Sequence, residues 1–312
     1  MAYPKVSIIM NCLNGEQYLK QALDSVFKQT YDDWEVIFWD NASTDGSAVI
    51  AKSYGGRVRY FNSQTTYPLG KARNFAIKKA QGDFIAFLDC DDIWLPQKLE
   101  KQVALLEKDS EVALVFSDMM IFDGSKDIYQ YLGKHKPPRG NVFRELLVNY
   151  FIGIVSVVIR KSAVKDIGWF DERFENIEDM DLFLRIAYLF KLDYVDEPLV
   201  KWRLHEKSQT FTKYGLFADE WDLLLEKLIG LYPGFKASYA KEIRGYASKT
   251  TQLRVLGEWL NHRPINARKL LKTASLSKIS RFSYLVLTFF PTSIFFLLYK
   301  LRYRIQNLKQ NF

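Results

Sequence analysis

The sequence contains few of the residues that build disulfide frameworks and structural zinc sites. Its 312 residues include two cysteines, Cys12 and Cys90, and three histidines. Two cysteines exclude both a disulfide framework and a zinc site with four cysteine ligands. We therefore expect a protein of a reducing compartment, and we expect neither cysteine to have a catalytic or redox role.

Signals for export and for common phosphate-binding loops are also missing. The segment Met1–Val6 enters an apolar run at once, without the charged start, long apolar stretch and cleavage site of a signal peptide. There is no P-loop, no G-x-G-x-x-G motif and no glycine- and arginine-rich loop near the start, as nucleotidyltransferases use. We therefore expect a protein that is not exported and is not a nucleotidyltransferase.

Acidic residues are scarce in the last part of the chain. Residues 235–312 contain fifteen Lys or Arg and two acids, a net charge of +13, whereas the preceding 234 residues contain 29 bases and 34 acids, or −5. The same tail contains 18 uncharged residues, 282–299, interrupted by Pro291. Basic and apolar residues together favour an anionic membrane surface over nucleic acid. We expect residues 282–299 to lie in the inner leaflet as a helix or broken hairpin; the alternative is a buried C-terminal helix.

Short apolar runs alternate with helical patterns in the first part of the chain. The runs, which are typical of buried strands, cover residues 6–10, 34–39, 58–61 and 84–88. Asn14 and Gln17, ahead of the first helical pattern, resemble a helix start signal. The alternation predicts an α/β fold with a mostly parallel sheet and helices on its faces.

The second part of the chain is less regular. Strands are predicted at 112–116 and 154–159. A helix is predicted at 178–190, with Leu182, Ile186 and Leu189 on its apolar face. The last hundred residues are predicted to be helical.

Polar clusters follow three of the predicted strands, at Asn11–Asn14, Asp40–Asp45 and Asp89–Asp92. In a parallel sheet these ends meet at one edge, so we expect the clusters to face one crevice. The adjacent carboxylates of Asp89–Asp92 repel one another, and Mg²⁺ or Mn²⁺ would relieve that repulsion. The alternative is a solvated turn that caps the following helix.

The ordered set of motifs resembles that of bacterial family 2 glycosyltransferases of the GT-A fold. The resemblance covers roughly residues 4 to 210 and rests on the segments Val6–Met10, Asp40–Gly46, Gly70–Asn74, Gly82–Asp92 and Glu178–Arg185. It implies a Rossmann-like nucleotide-binding domain over residues 1–212. The helical, basic region 213–312 would follow it, with the membrane-associating segment 282–299.

The resemblance also implies roles for individual residues. Asp40 would contact the nucleotide base, Arg73 the base or its phosphates, and Asp89 the ribose. Asp179 would be the catalytic base, although Glu178-Asp179 is alternatively an acidic first turn that suits the helix dipole. The further residues expected to bind substrate are Asn11, Asn14, Glu178, Trp202 and Arg203. Asp91 would bind Mn²⁺ or Mg²⁺, and His205 would either reach the metal or diphosphate or be an exposed loop histidine.

The expected activity is the inverting transfer of a single hexose or N-acetylhexosamine from a nucleotide diphosphate sugar, a UDP-sugar, to a glycan hydroxyl. A membrane-seeking tail suggests an acceptor linked to polyprenyl diphosphate, at the cytoplasmic face of the inner membrane, where the protein would be peripheral or monotopic. One alternative is a processive polysaccharide synthase, but the Gln-x-x-Arg-Trp segment of those enzymes is missing. The other is a membrane-associated module that binds nucleotide sugar without turnover.

Overall fold

The computed structural model describes residues 3–134, 136–205, 217–274 and 276–294. These residues fall into two compact units. The first consists of residues up to 143 together with 151–204, and the second of 144–150 together with the residues from 205 onward. The predicted domain boundary between 212 and 213 lies outside the described residues.

The first unit contains one mixed sheet, to which nine strands of the described residues belong. In chain order they are β1 (Val6–Cys12), β2 (Trp34–Asp40), β3 (Val58–Asn62), β4 (Phe84–Phe87), β5 (Ile93–Trp94), β6 (Val112–Phe122), β7 (Asp127–Gln130), β8 (Val158–Arg160) and β9 (Lys191–Arg203). Their order in the sheet is β3-β2-β1-β4-β8-β6-β9-β5, and β7 pairs with β6. The helices that accompany them are α1 (Glu16–Phe27), α2 (Ser47–Ser53), α3 (Leu69–Ile77), α4 (Lys98–Lys108) and α6 (Glu178–Leu189); α5 (Phe143–Val148) belongs, apart from Phe143, to the second unit.

Strand β1 lies at the centre of the parallel half of the sheet. It runs parallel to β2 and to β4, and Ile9 is opposite Ile37 on one side and Phe87 on the other. The three strands therefore end at the same edge, as predicted. The rest of the sheet is not mostly parallel, because β8 is antiparallel to β4 and β6, and β5 is antiparallel to β9. The composition of a short apolar run does not depend on whether its strand is parallel or antiparallel to its neighbours, so the sequence pattern did not predict the antiparallel strands.

The two faces of β1 serve different purposes. Val6, Ile8, Met10 and Cys12 belong to the hydrophobic core that includes Leu19 and Leu23 of α1. Because side chains alternate along a strand, Ser7, Ile9 and Asn11 point to the opposite face, the side of the sheet where α3 packs. The core therefore anchors one face of β1, and polar Asn11 lies on the other.

Two predicted elements need correction, and one strand was not predicted. Residues Ile154–Ser156 form a 3₁₀ turn, and the strand predicted at 154–159 begins only at Val158. The helix predicted at 178–190 is confirmed as α6, but Leu189 does not face the core, since it is 51% exposed. The long strand β9 was not predicted, because its inward side chains alternate with exposed charged ones and Pro198 lies within it.

The second unit is helical in its described residues, which confirms the helical C-terminal region. Its helices include α7 (Phe217–Leu231), α8 (Phe235–Ser238), α9 (Ala240–Leu260), α10 (Pro264–Thr273) and α11 (Lys278–Leu287). Val255 and Trp259 of α9 pack with Ala267 and Leu271 of α10. Among the helices described, none combines the length and the apolar character needed to cross a bilayer. The predicted membrane segment 282–299 is described only as far as Ile294.

Candidate active site

Hydrogen bonds join the loops that follow β1 and β2. The N–H of Asn14 donates to Ser43 Oγ at 3.0 Å, and the N–H of Thr44 donates back to Asn14 Oδ1 at 2.8 Å. The N–H of Glu16 donates to Asp45 Oδ2 at 3.0 Å. The first two polar clusters therefore meet, as the sequence predicts.

Asn14 achieves this in a conformation that the helix-start pattern did not predict. Its φ is +54°, in the left-handed region, and Gly15 rather than Asn14 precedes the first turn of α1. Asparagine tolerates this region better than most residues. The Asn14 side chain thus bridges two loops and does not cap α1, which corrects that prediction. Its predicted contact with substrate stays a prediction.

The third polar cluster is joined to β1 through the two cysteines. The interaction between the two thiols lowers the pKa of Cys12 and raises that of Cys90. Both sulfurs lie close to Gly15, where a Cβ atom would be 2.8 Å from Cys12 Sγ and 2.7 Å from Cys90 Sγ. A side chain at position 15 would therefore displace both sulfurs. The three predicted clusters do converge at one edge of the sheet.

Asp40, at the end of β2, is buried and held at both carboxylate oxygens. The N–H of Ser43 donates to Oδ1 at 2.8 Å, and the hydroxyl of Tyr60 on β3 donates to Oδ2 at 2.6 Å. Burial, together with this bond to Asp40, raises the pKa of Tyr60 and so keeps the hydroxyl protonated as a donor. Contact of Asp40 with a nucleotide base stays a prediction.

Asn11 and Trp39 are neighbouring side chains on the α3 side of the sheet, and both have polar atoms without a hydrogen-bond partner among the described residues. Asn11 lies opposite Trp39 in the register of β1 and β2. Asn11 is 8% exposed, yet neither its amide nitrogen nor its amide oxygen pairs with any described residue, and the same is true of the indole nitrogen of Trp39. Buried polar atoms nearly always have a partner, so this spot suits a ligand with both donors and acceptors.

A buried arginine connects the acidic loop to α6. Arg73 of α3 is 3% exposed and donates from Nη1 to Glu178 Oε1 at 2.7 Å and from Nη2 to Asp89 Oδ1 at 2.9 Å. α3 approaches α6 closely at Gly70, where a Cβ atom would lie 3.4 Å from side-chain atoms of Glu178. Arg73, Asp89 and Glu178 are all predicted to bind substrate, and in the structure Arg73 binds the other two.

The charges of this cluster depend on one another. Burial acts to lower the pKa of Arg73, but the charges of Asp89, Glu178 and Asp179 outweigh it and leave that pKa above its usual value. Burial likewise raises the pKa of Asp89 and of Glu178, and the Arg73 charge opposes both shifts. The predicted base Asp179 therefore lies within the field of Arg73, half-buried in the first turn of α6.

The end of β9 holds the acidic loop from the other side. The N–H of Arg203 donates to Asp92 Oδ1, and its Nε donates to the carbonyl of Asp91, each at 2.8 Å. Its guanidinium also donates to Gln21. Burial, reinforced by the charges of Asp91 and Asp89, raises the pKa of Asp92 well above its usual range. Arg203 thus fixes the loop in which Asp91 lies, and its binding of diphosphate stays a prediction.

The remaining predicted residues lie near the end of β9. Trp202 is half-buried, packs against the core and lies opposite Ile121 of β6. His205 follows β9 and is also half-buried; it is counted with the second unit. Among the described residues, no three His, Cys, Asp or Glu side chains cluster as a metal site would require. The metal-ligand roles of Asp91 and His205 stay predictions.

The structure adds residues that the motifs did not identify. Tyr60 holds Asp40, Trp39 lies beside Asn11, and Gln21 binds Arg203. Trp39 could have been identified, because it directly precedes Asp40 at the end of a predicted strand. Tyr60 and Gln21 lie in a strand and a helix with no distinguishing pattern, so only their spatial neighbours reveal their role.

Replacing Arg73 by methionine should destabilise the protein strongly. The change leaves the buried carboxylate of Glu178 and the half-buried carboxylate of Asp89 without a cation, and breaking a buried pair such as Arg73–Glu178 costs about 3–5 kcal/mol. Arg173→Met is the matched control, since Arg173 pairs with Asp171 while 59% exposed and should contribute about 0–1 kcal/mol. The free energy of unfolding is measured by urea titration. Equal losses in the two variants would contradict the buried-pair interpretation, and Arg73→Met/Glu178→Gln should recover part of the loss.

Known proteins with similar sequences identify the family to which the chain belongs. A model of the family described as "Glycosyl transferase family 2" matches residues 7–168. The chain is 30% identical over 222 residues to the UDP-Glc:alpha-D-GlcNAc-diphosphoundecaprenol beta-1,3-glucosyltransferase WfgD of Escherichia coli, covering 70% of this chain and 85% of that protein.

Two solved structures are similar in fold. S. aureus TarS 1-349 in complex with UDP-GlcNAc has a TM-score of 0.65 at 23% identity, covering 86% of this chain and 81% of that one. The mannosyltransferase PcManGT from Pyrobaculum calidifontis, in complex with GDP-Man and Mn²⁺, has a TM-score of 0.61 at 16% identity, covering 98% and 88%. The expected GT-A fold is thereby confirmed. The chain belongs to glycosyltransferase family 2 and is a glycosyltransferase that uses a nucleotide sugar.

Proposed function

We propose that this protein transfers a single hexose or N-acetylhexosamine from a UDP-sugar to a hydroxyl group of a glycan, with inversion at the anomeric carbon. The observation that carries the proposal is the Arg73 bridge, because it brings the start of α6, where Asp179 lies, to the acidic loop. UDP as the nucleotide is supported by the donors in the names of WfgD and of the TarS complex.

The base of the donor would bind where Asn11 and Trp39 have no partner. A uracil ring presents carbonyl acceptors and an N–H donor, which match the amide of Asn11 and the indole N–H of Trp39. Asp40 lies at the end of the same strand as Trp39, and Asp89 follows β4, which is the neighbour of β1 in the sheet. The diphosphate would then extend toward Asp91.

Asp179 would act as the general base. As the acceptor oxygen attacks the anomeric carbon, its proton passes to the carboxylate of Asp179, the bond to the donor phosphate breaks, and the nucleoside diphosphate leaves. Attack from the face opposite the leaving group inverts the configuration. A carboxylate placed for this transfer contributes about 10²- to 10⁴-fold to the rate.

The donor atoms near Asp91 are compatible with Mn²⁺ or Mg²⁺. Asp91 is proposed as the metal ligand because it occupies the position that the resemblance to the family assigns to the metal-binding aspartate, between Asp89, which is bound by Arg73, and Asp92, which is bound by the N–H of Arg203. Magnesium commonly uses one or two protein carboxylates together with substrate phosphates and water, so a cluster of three side chains is not required. The metal, when bound, would stabilise the charge that develops on the leaving diphosphate. His205 remains a candidate second ligand.

The acceptor and the location are proposed from the tail. α11 has no buried residue, and large apolar side chains are exposed on it and just after it: Ile279 is 81%, Phe282 68% and Phe289 68% exposed. These three recur at helical spacing, with Lys278 and Arg281 nearby, as in helices that lie on anionic membranes. We therefore propose a peripheral protein at the cytoplasmic face of the inner membrane. Its acceptor would be a glycan on polyprenyl diphosphate, as the name of WfgD suggests.

Asp179→Asn should lower transfer by about 10²- to 10⁴-fold while UDP binding is retained, because the amide cannot accept the proton but has nearly the same volume. Transfer is measured by mass spectrometry of glycan acceptors with a panel of UDP-sugars, and UDP binding by calorimetry. Asp219→Asn, at a side chain that is 77% exposed, is the matched control and should retain the rate. A near wild-type rate in Asp179→Asn would place the base elsewhere. UDP-sugar binding without turnover of any donor in the wild type would favour the non-catalytic module.

Asp91→Asn should weaken Mn²⁺ binding in the presence of UDP by at least about tenfold, since loss of even an outer-shell partner of a metal ligand costs that much. Bound Mn²⁺ is followed by electron paramagnetic resonance, and chelation with EDTA should abolish transfer by the wild type. Asp83→Asn, 73% exposed, should leave Mn²⁺ binding unchanged. If both variants bind Mn²⁺ as the wild type does, Asp91 is not a ligand.

Replacing Ile279, Phe282 and Phe289 together by serine should weaken binding to vesicles that contain phosphatidylglycerol by more than about tenfold, because large apolar side chains no longer insert. Sedimentation with the vesicles measures binding. Val49→Ser, at an apolar side chain that is 74% exposed in the first unit, is the control. Equal binding of the triple variant and the wild type, or equal binding to phosphatidylcholine vesicles, would refute the proposed surface.

A further inference from the structure

Cys12 is the last residue of β1, and Cys90 lies in the turn that follows β4, the neighbouring strand. β1 and β4 are parallel, and Ile9 is opposite Phe87, so three further residues along each chain lead to Cys12 and Cys90. The N–H of Leu88 still donates to the carbonyl of Ile9 at 3.1 Å, so the chains stay adjacent beyond the end of β4. Paired strands lie about 4.7–4.9 Å apart, so Cys12 and Cys90 extend from adjacent segments of the chain.

The thiol groups meet in the space that Gly15 leaves. Both sulfurs approach the position that a Gly15 Cβ atom would take to within 3 Å. Cys12 is 2% exposed, whereas Cys90 is half-buried, so a reagent from solution reaches Cys90 first. The proposed chemistry of sugar transfer uses neither thiol.

We propose that Cys12 and Cys90 form a dithiol modification site that a peroxide converts to an intramolecular disulfide, and that this bond weakens nucleotide binding at the acidic loop. This departs from the expectation, drawn from the sequence, that the cysteines have no redox role. The second half of the proposal rests on the proposed function.

The reaction balances with hydrogen peroxide as the oxidant. The sulfur of one cysteine attacks one peroxide oxygen, the O–O bond breaks, and a sulfenic acid and one water form; the step that follows is written for Cys90 as the first to react and balances equally with the two cysteines exchanged. The sulfur of Cys12 then attacks the sulfenic sulfur, the S–O bond breaks, and the oxygen leaves as a second water with the remaining proton. Two thiols and one peroxide thus give one disulfide and two waters, with two electrons passing to the peroxide.

The consequence for the site follows from the position of Cys90. A disulfide draws its sulfurs to about 2.05 Å, closer than two thiols in contact, so the bond would pull the acidic loop toward the end of β1. Cys90 lies directly between Asp89, which binds Arg73 at 2.9 Å, and Asp91, the proposed metal ligand. Both carboxylates would therefore move with the bond.

The test compares oxidised and reduced full-length protein. After treatment with hydrogen peroxide, free thiols are alkylated and the peptides are mapped without reduction. UDP affinity in the presence of Mn²⁺ is measured by calorimetry on the same samples, and again after dithiothreitol. Cys12→Ser and Cys90→Ser are treated in parallel, each referred to its own reduced form.

We expect a peptide pair that links Cys12 to Cys90 in the wild type, and a fall in UDP affinity of about tenfold or more that dithiothreitol reverses. Neither serine variant should show that linkage or a reversible loss of this size. Two alkylated thiols after oxidation, or a disulfide between two chains, would overturn the proposal, and so would unchanged UDP affinity in the fully linked protein. If the reduced wild type does not bind UDP, the proposed function fails, whereas peptide mapping still decides whether the disulfide forms.

Discussion

The arrangement of the site depends on one buried cation. Arg73 is almost fully enclosed and satisfies two carboxylates from segments far apart in sequence, Asp89 after β4 and Glu178 at the start of α6. A charge removed from water is tolerated only when opposite charges and hydrogen bonds accompany it, and the same holds for the two carboxylates. The acidic loop and the first turn of α6 therefore take their positions together. The position of Asp179, the proposed base, therefore depends on this bridge.

Similar constraints hold the rest of the site. Asn14 bridges two loops, Asp40 is held by Ser43 and Tyr60, and Arg203 ties the end of β9 to Asp91 and Asp92. Side chains fixed in this way bind a ligand without first having to be ordered. Asn11 and Trp39 differ from these residues, because their buried polar atoms have no hydrogen-bond partner among the described residues. The site thus combines a rigid acidic rim with a polar spot ready for a ligand.

Much of the parallel half of the fold was predictable because local pattern and tertiary role agree there. The β-branched runs of β1 and β2 are buried on both faces, and each ends in polar residues that the shared register brings to one edge. The pattern was insufficient where a strand is half exposed or where direction matters. β9 alternates buried and exposed side chains around Pro198, and β8 reverses direction, so neither could be derived from composition. Asn14 was misread as a cap because its real partner, Thr44, is thirty residues away.

By itself, the sequence determined the order of strands and helices near the site, the three polar clusters, and the charge contrast between the first part and the tail. These are local properties, set by hydrophobic periodicity and by the position of each residue relative to a strand end. The tertiary structure alone decided that Arg73 joins Asp89 to Glu178 and that Tyr60 and Gln21 support the site. Such pairings depend on which side chains share a buried volume, and burial determines both their charge states and the need for a partner.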